Sequence, residues 1–212
     1  MPAHLHCARL AAVSYLQTKN REEHTILGIR QTLAATAGIL LLAGPAYAAE
    51  PFVLTSPAFK DGTPLATKNA GNIKTNPNCV GENVSPPLAW ANPPEGTKSY
   101  AIVMTDPDGQ NGLGVVHWVA YGIPASVTGF AEGEVSKPSD KFVGGKGSAG
   151  KDVYLGPCTP PNTVYHHYTY TLIATDFDPK ELPPGLTRDE LFVKLKGHNK
   201  AATGLIGLFK KP

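Results

Sequence analysis

The chain has 212 residues, with 19 Lys or Arg against 17 Asp or Glu, a length that fits one domain carrying an extension. Charge this evenly balanced, with no basic run, argues against a nucleic-acid partner, which would need a dense cationic face. The 22 Gly and 20 Pro residues favour short elements joined by many turns.

Residues 1–48 read as a leader. Arg30 precedes an apolar run from Leu33 to Leu42, then the helix-breaking pair Gly44-Pro45 and the small-residue site Ala46-Tyr47-Ala48. This is the pattern of a secretory signal, with cleavage expected after Ala48 and a periplasmic or secreted product. The run is too short for an ordinary membrane span, so none is expected after cleavage; an uncleaved anchor is the alternative. Residues 1–26 precede an already complete signal, and translation is expected to begin near Leu27. The leader holds four basic and two acidic residues, which leaves 15 of each in residues 49–212.

The mature part opens with two short strand candidates, "PFVLTSPAF" (51–59) and "PLAWA" (87–91). "SYAIVMTD" (99–106) and "VVHWVAYGI" (115–123) follow as a pair, separated by Asp108-Gly109 and further glycines. "GGKGSAGKD" (144–152) is a Gly-rich loop. It lacks the Walker spacing and its Gly-Lys-Ser/Thr end, so it is expected beside a site rather than around a nucleotide, and no cofactor is expected. "YHHYTYTLIATD" (165–176) is the clearest strand after that. Thr187-Arg188-Asp189-Glu190 is a capping box that opens a helix, with Leu191 and Leu195 on one face and Gly197 placed to end it. "TGLIGLF" (203–209) is the last strand. The fold class expected is mainly β: an antiparallel β-sandwich with Greek-key links and a few short helices.

Three cysteines are present. Cys7 leaves with the leader, so Cys79 and Cys158 remain, and in an oxidising compartment they are expected to form a disulfide, with two free thiols as the alternative. The loop such a bridge closes is long, which the entropic model values at about 4 kcal/mol.

Two stretches carry groups fit for chemistry. Asp106-Pro107-Asp108 ends the 99–106 strand, because the proline lacks the donor that regular pairing needs. If the chain returns as a hairpin, His117 comes back near Asp106, with Val119 and Tyr121 on its face and Trp118 and Ala120 on the other. In the 165–176 strand, His166, Tyr168 and Tyr170 share one face, and His167 and Thr169 the other. Each stretch alone is as well explained by turn capping or by a decorated strand edge.

Together they resemble a known family. "TDPDG…VVHW" and "YLGPCTPPNTVYHHY" are similar to the two signature segments of the phosphatidylethanolamine-binding protein family, in its bacterial Raf-kinase-inhibitor-like branch. "CVGENVSPPLAWANPPEGTKSYAIVMTDPD" (79–108) resembles that branch's N-terminal core, and "HNKAATGLIGLF" (198–209) its closing strand. The four segments, in order, extend the likeness over residues 49–212. The resemblance implies a β-sandwich with a small pocket at one end that binds phosphate or a phospholipid headgroup. By position it assigns to that pocket Asp106, Asp108, His117, Gly156, Pro157, His166 and Tyr168, with His167 turned away. It also favours the Cys79–Cys158 bridge. The family motif Asp-Pro-Asp-Ala-Pro is here continued by Gly109 and Gln110. Val115-Val116 stands where an aromatic run is often seen, and Thr159 intrudes between Cys158 and Pro160-Pro161. These departures touch the pocket rim, and so bear on ligand choice more than on fold.

The function expected is that of a binding protein, not an enzyme. His117, His166 and Tyr168 would donate to anionic oxygens, and Asp106 would orient a histidine and hold it protonated. Asp108 would accept from a cationic headgroup or brace its loop. A hydrolase built on the Asp, His and Tyr groups, with Cys158 as a nucleophile, is one alternative, although no Gly-x-Ser-x-Gly elbow is present. A metal site of Asp106, His117 and His166 is a weaker one, and the family adds inhibition of a secreted protease through surface contacts. No residue identifies a protein target.

Overall fold

The computed structural model describes residues 49–161 and 164–212. The leader, its cleavage site and the proposed start near Leu27 lie outside the described residues. Nine strands are described: β1 (Val53–Thr55), β2 (Thr63–Pro64), β3 (Leu88–Ala91), β4 (Ser99–Asp106), β5 (Val115–Pro124), β6 (Gly129–Phe130), β7 (Val143–Gly144), β8 (His166–Thr175) and β9 (Asn199–Phe209). A six-stranded sheet has the order β2-β9-β8-β4-β5-β7, and a three-stranded sheet the order β1-β3-β6. Among the described residues no helix is long and apolar enough to cross a membrane.

β4 explains the layering. Its neighbours on both sides are antiparallel, β5 as a hairpin and β8 from far along the chain, so the connection to β8 crosses over as in a Greek key. Side chains alternate along it. Tyr100, Ile102 and Met104 join Trp118 of β5, Tyr170 of β8 and the small sheet's Trp90 and Phe130 in the sandwich core. Ala101 and Val103 join Val119, Tyr121 and Ile173 against Leu191 and Leu195 of the helix Arg188–Leu195. A strand covered on both faces needs no polar alternate, which is why residues 99–104 read as a nearly unbroken apolar run.

The capping box forms as its residues foretell: the Glu190 N–H donates to Thr187 Oγ1 at 3.3 Å, and the Thr187 N–H to Glu190 Oε2 at 2.9 Å. Gly197 follows in the left-handed region with φ +86°. Three features differ from the expected pattern. The 51–59 candidate pairs only over Val53–Thr55, because Ser56 turns to donate its hydroxyl to the Pro87 carbonyl. β9 begins four residues early, at Asn199, and pairs with β8 along its whole length. One edge pair, β2 with β9, is parallel, so the large sheet is mixed.

The disulfide Cys79–Cys158 is formed, with Cα atoms 4.3 Å apart and a sequence separation of 79. It ties the irregular segment before β3 to the segment before β8, at the end of the sandwich where β4 stops.

Candidate functional site

Asp106 continues the sandwich-facing row of β4 beyond Met104, so the core's last position holds a carboxylate in place of an apolar group. It is buried. Its Oδ1 accepts from the N–H groups of Asp108 at 3.0 Å and Gly109 at 3.1 Å, the turn expected after a strand-ending proline motif. Its Oδ2 lies 2.8 Å from Nδ1 of His166, the first residue of β8, whose ring is also buried. The ring nitrogen left to meet a ligand is therefore Nε2.

Asp108 braces the same corner from outside. Its Oδ2 accepts from the backbone N–H of His167 and lies 2.8 Å from His167 Nδ1. The bond to the His167 side chain, outweighing the opposing effect of burial, holds the Asp108 carboxyl below the usual carboxylate range. His167 does face away from Asp106, but it is partnered rather than idle.

His117 stands elsewhere than strand alternation predicts. Met104 pairs with Trp118, but Thr105 pairs with Val116, so His117 is the extra residue of a β-bulge. The bulge turns its ring away from Val119 and Tyr121 to the sandwich side, edge-on to Tyr168 with centroids 5.1 Å apart. Its Nδ1 lies 2.9 Å from the Leu155 carbonyl, whereas the residue opposite Asp106 in the hairpin is Val115. Burial pushes the His117 imidazole below its ordinary value, against the raising effects of the Leu155 carbonyl and of Asp106. Tyr168 is buried too, its hydroxyl 3.3 Å from Thr159 Oγ1, and burial pushes that hydroxyl far above its ordinary value, so it stays protonated.

The low His117 value has a consequence for stability. Above about pH 6.5 the ring is neutral folded or unfolded and contributes nothing. As pH falls through that value the unfolded chain takes up its proton first, so stability drops, and the loss is complete once pH passes the depressed folded value. His117→Gln is expected to flatten this part of the pH–stability profile; superimposable slopes for the two proteins in urea titrations would refute the assignment.

Two clefts open at this end. One, of about 400 Å³, is lined by Asp106, Asp108, His166, Thr159 and Pro160 together with Gln110 and Asn111. The other, of about 250 Å³, is lined by His117, Ile73, Leu155, Ser148 and Ala149. Gln110, Val115 and Cys158 belong to both. Of the seven residues placed in a pocket by resemblance, Asp106, Asp108 and His166 line the first cleft and His117 the second, while Tyr168, Gly156 and Pro157 line neither. Gly156 serves packing: a Cβ there would sit 1.9 Å from the Asn69 carbonyl oxygen. Its N–H donates to Asn83 Oδ1 at 2.8 Å, and the Pro157 carbonyl accepts from the Gly71 N–H at 2.8 Å. Ser148 and Ala149 belong to the Gly-rich loop, which thus forms part of the second cleft's wall.

Gln110 belongs to the departures the sequence places at the pocket rim, and it does line the first cleft; Asn111, beside it, carries no sequence signal of its own. Both hold φ in the left-handed region, 51° and 58°, in the tight loop between Asp108 and Val115. Among the described residues no set of three or more His, Cys, Asp or Glu side chains gathers to hold a metal ion, so Asp106, His117 and His166 do not form the triad their spacing allows on paper.

Comparison with known proteins places this geometry. A family model described as phosphatidylethanolamine-binding protein matches residues 55–210. A UPF0098 protein of Aquifex aeolicus (strain VF5) is 34% identical over 145 residues, covering 68% of this chain and 84% of its own length. The provisionally named lipoprotein LppC of Mycobacterium tuberculosis (strain ATCC 25618 / H37Rv) is 35% identical over 166 residues, 78% of this chain and 76% of its own. Among solved structures, Escherichia coli YbcL, described as a member of the mammalian PEBP family, superposes with TM-score 0.67 at 29% identity over 75% of this chain and 98% of its own. The match over nearly the whole described chain, with Asp106 and His166 brought together at the end of the sandwich, shows that the protein belongs to the phosphatidylethanolamine-binding protein family, alongside its bacterial members.

Proposed function

We propose that this is an exported binding protein whose first cleft takes phosphate or a phosphorylated headgroup. The observation that carries the reading is the buried Asp106–His166 pair, 2.8 Å apart, at the wall of a cleft about 400 Å³ in volume. With Nδ1 given to Asp106, His166 donates to a ligand through Nε2 only when the ring carries both protons, and a charged donor suits an anionic oxygen. His117 is a poorer candidate for that charge, since burial favours its neutral form. Gln110 and Asn111 bring side-chain amides to the same cleft.

Export is supported by the leader-like pattern of residues 1–48 and by a disulfide, which persists in oxidising compartments. The relative named as a lipoprotein points the same way. A binding role is favoured over a cysteine-based hydrolase because Cys158 is held in the disulfide. Modulation of a protein partner belongs to the same proposal, with no partner identified.

Calorimetric titration of the purified protein with inorganic phosphate is the test. Saturable binding is expected, reduced at least tenfold in His166→Ala. An unaffected His166→Ala variant would remove His166 from the role.

A further inference from the structure

The helix Arg188–Leu195 buries Leu191 and Leu195 against the large sheet, but its outward face is not uniformly polar. Phe192 is 43% exposed and Val193 76%. Among the described residues they are the only large exposed apolar side chains on a regular element, the others standing in loops. Phe192 also walls a groove of about 410 Å³ beside the helix, with Ile173, Leu195 and Ala202 and the polar Thr171, Lys196 and Asn199. An exposed apolar pair next to such a groove marks a contact surface.

The charges around the pair say what covers it. At about 100° per residue, Asp189, Phe192, Val193 and Lys196 fall on one face, at i, i+3, i+4 and i+7, with Lys196 as the C-cap. An acid thus stands three residues before the pair and a base three residues after it, both exposed. A stripe of this kind is complementary to itself when reversed. Laid antiparallel on a copy, Val193 meets Phe192 and Asp189 meets Lys196, and each contact occurs twice. That is the condition for a two-fold interface, in which residue i meets j and j meets i. Asp189 already accepts from Arg188 Nε at 2.8 Å, through Oδ1, so Oδ2 is the oxygen turned to a partner. Glu190, on the flank of the stripe, is held in the capping box.

From this pattern we infer that two copies of the protein associate about a two-fold axis, with their Arg188–Leu195 helices antiparallel, Phe192 and Val193 at the centre and an Asp189–Lys196 pair on either side. No residue of this helix lines the Asp106–His166 cleft or the His117 cleft, so the inference stands apart from the phosphate reading. One short helix and its groove make a contact at the small end of the specific range, so the dimer is expected to form at about 10 µM and above rather than to be permanent.

The experiment is sedimentation equilibrium of the purified protein, of Val193→Glu, of Asp189→Lys, of Lys196→Asp, and of an equal mixture of the last two. The unmodified protein is expected to dimerise. Val193→Glu is expected to weaken the dimer at least tenfold, because it buries an unpaired charge at the axis. Each charge reversal sets like charges opposite one another twice and is expected to weaken it at least tenfold as well. In the mixture the two acids of one variant meet the two bases of the other, and the dimer is expected to return. All three positions are exposed, so each variant is expected to keep the urea stability of the native protein within about 1 kcal/mol. A protein that stays monomeric up to about 1 mM overturns the inference and leaves the face to an unlike partner. A dimer that persists in Val193→Glu overturns it, because association then uses another surface. Charge reversals without effect, or a mixture no more associated than its parts, overturn the antiparallel pairing and the two-fold arrangement with it.

Discussion

Reducing Cys79–Cys158 is expected to lower the stability of the fold by about 4 kcal/mol, read as a fall in the urea midpoint, with a steeper slope because the unfolded chain is no longer cross-linked. The estimate comes from the 79-residue separation of the two cysteines, since cross-linking so long a loop removes many conformations from the unfolded chain. Residues 71–79 carry no regular structure, and besides the bridge one backbone hydrogen bond is described between them and the 156–158 segment, from the Gly71 N–H to the Pro157 carbonyl. Cys158 also forms part of the border shared by the two clefts, so phosphate affinity is expected to fall together with stability. A double Cys79→Ala, Cys158→Ala variant separates the bond from the chemistry of the reductant. If that variant unfolds within about 1 kcal/mol of the native protein, the bridge is not the clamp its loop length implies.

Much of the frame is legible in the sequence because burial is written in residue type. The runs in β4, β5 and β8 are apolar and β-branched or aromatic, and each becomes a strand of the large sheet within one or two residues of its expected limits. The capping box is equally readable, since it depends on two side chains three residues apart. β2, β6 and β7 are not readable: each has two residues, too few for any period, and each is set by where a partner strand happens to pass. The site shows the same division. Asp106 and His166 lie at strand ends whose alternation is regular, so their meeting follows from pattern once β4 and β8 are neighbours. His117 does not follow, because a bulge is one residue of irregularity and reverses the face of everything on its far side. Thr159, Gln110 and Asn111 come from loops, where position is set by tertiary contact and the sequence carries only a departure from an expected motif. Gly156 is a different case: its identity is legible through resemblance, but the reason for it is the near approach of the Asn69 carbonyl, visible only in three dimensions.

Asp106→Ala is expected to destabilise the protein by about 3–5 kcal/mol and to abolish phosphate binding. Alanine removes the acceptor of three donors at once: the His166 ring, and the Asp108 and Gly109 backbone N–H groups. Leaving buried polar groups without partners costs about 1–3 kcal/mol each, and breaking a buried charged pair falls in the same total range. Asp106→Asn separates the two functions of the carboxylate. Its amide oxygen can still accept from both N–H groups, so the turn is kept and the stability cost is expected to be nearer 1 kcal/mol. Its NH₂ group, however, now faces His166 Nδ1 and is a donor, so that nitrogen must act as an acceptor and the ring is no longer supported with both protons. The neutral ring then carries its proton on Nε2 and still donates there but without charge, so phosphate binding should weaken in Asn, although less than in Ala, while the Asn protein stays folded. If Asp106→Asn binds phosphate as tightly as the native protein, the carboxylate serves the turn alone. The charge that attracts the anion must then come from a group other than His166.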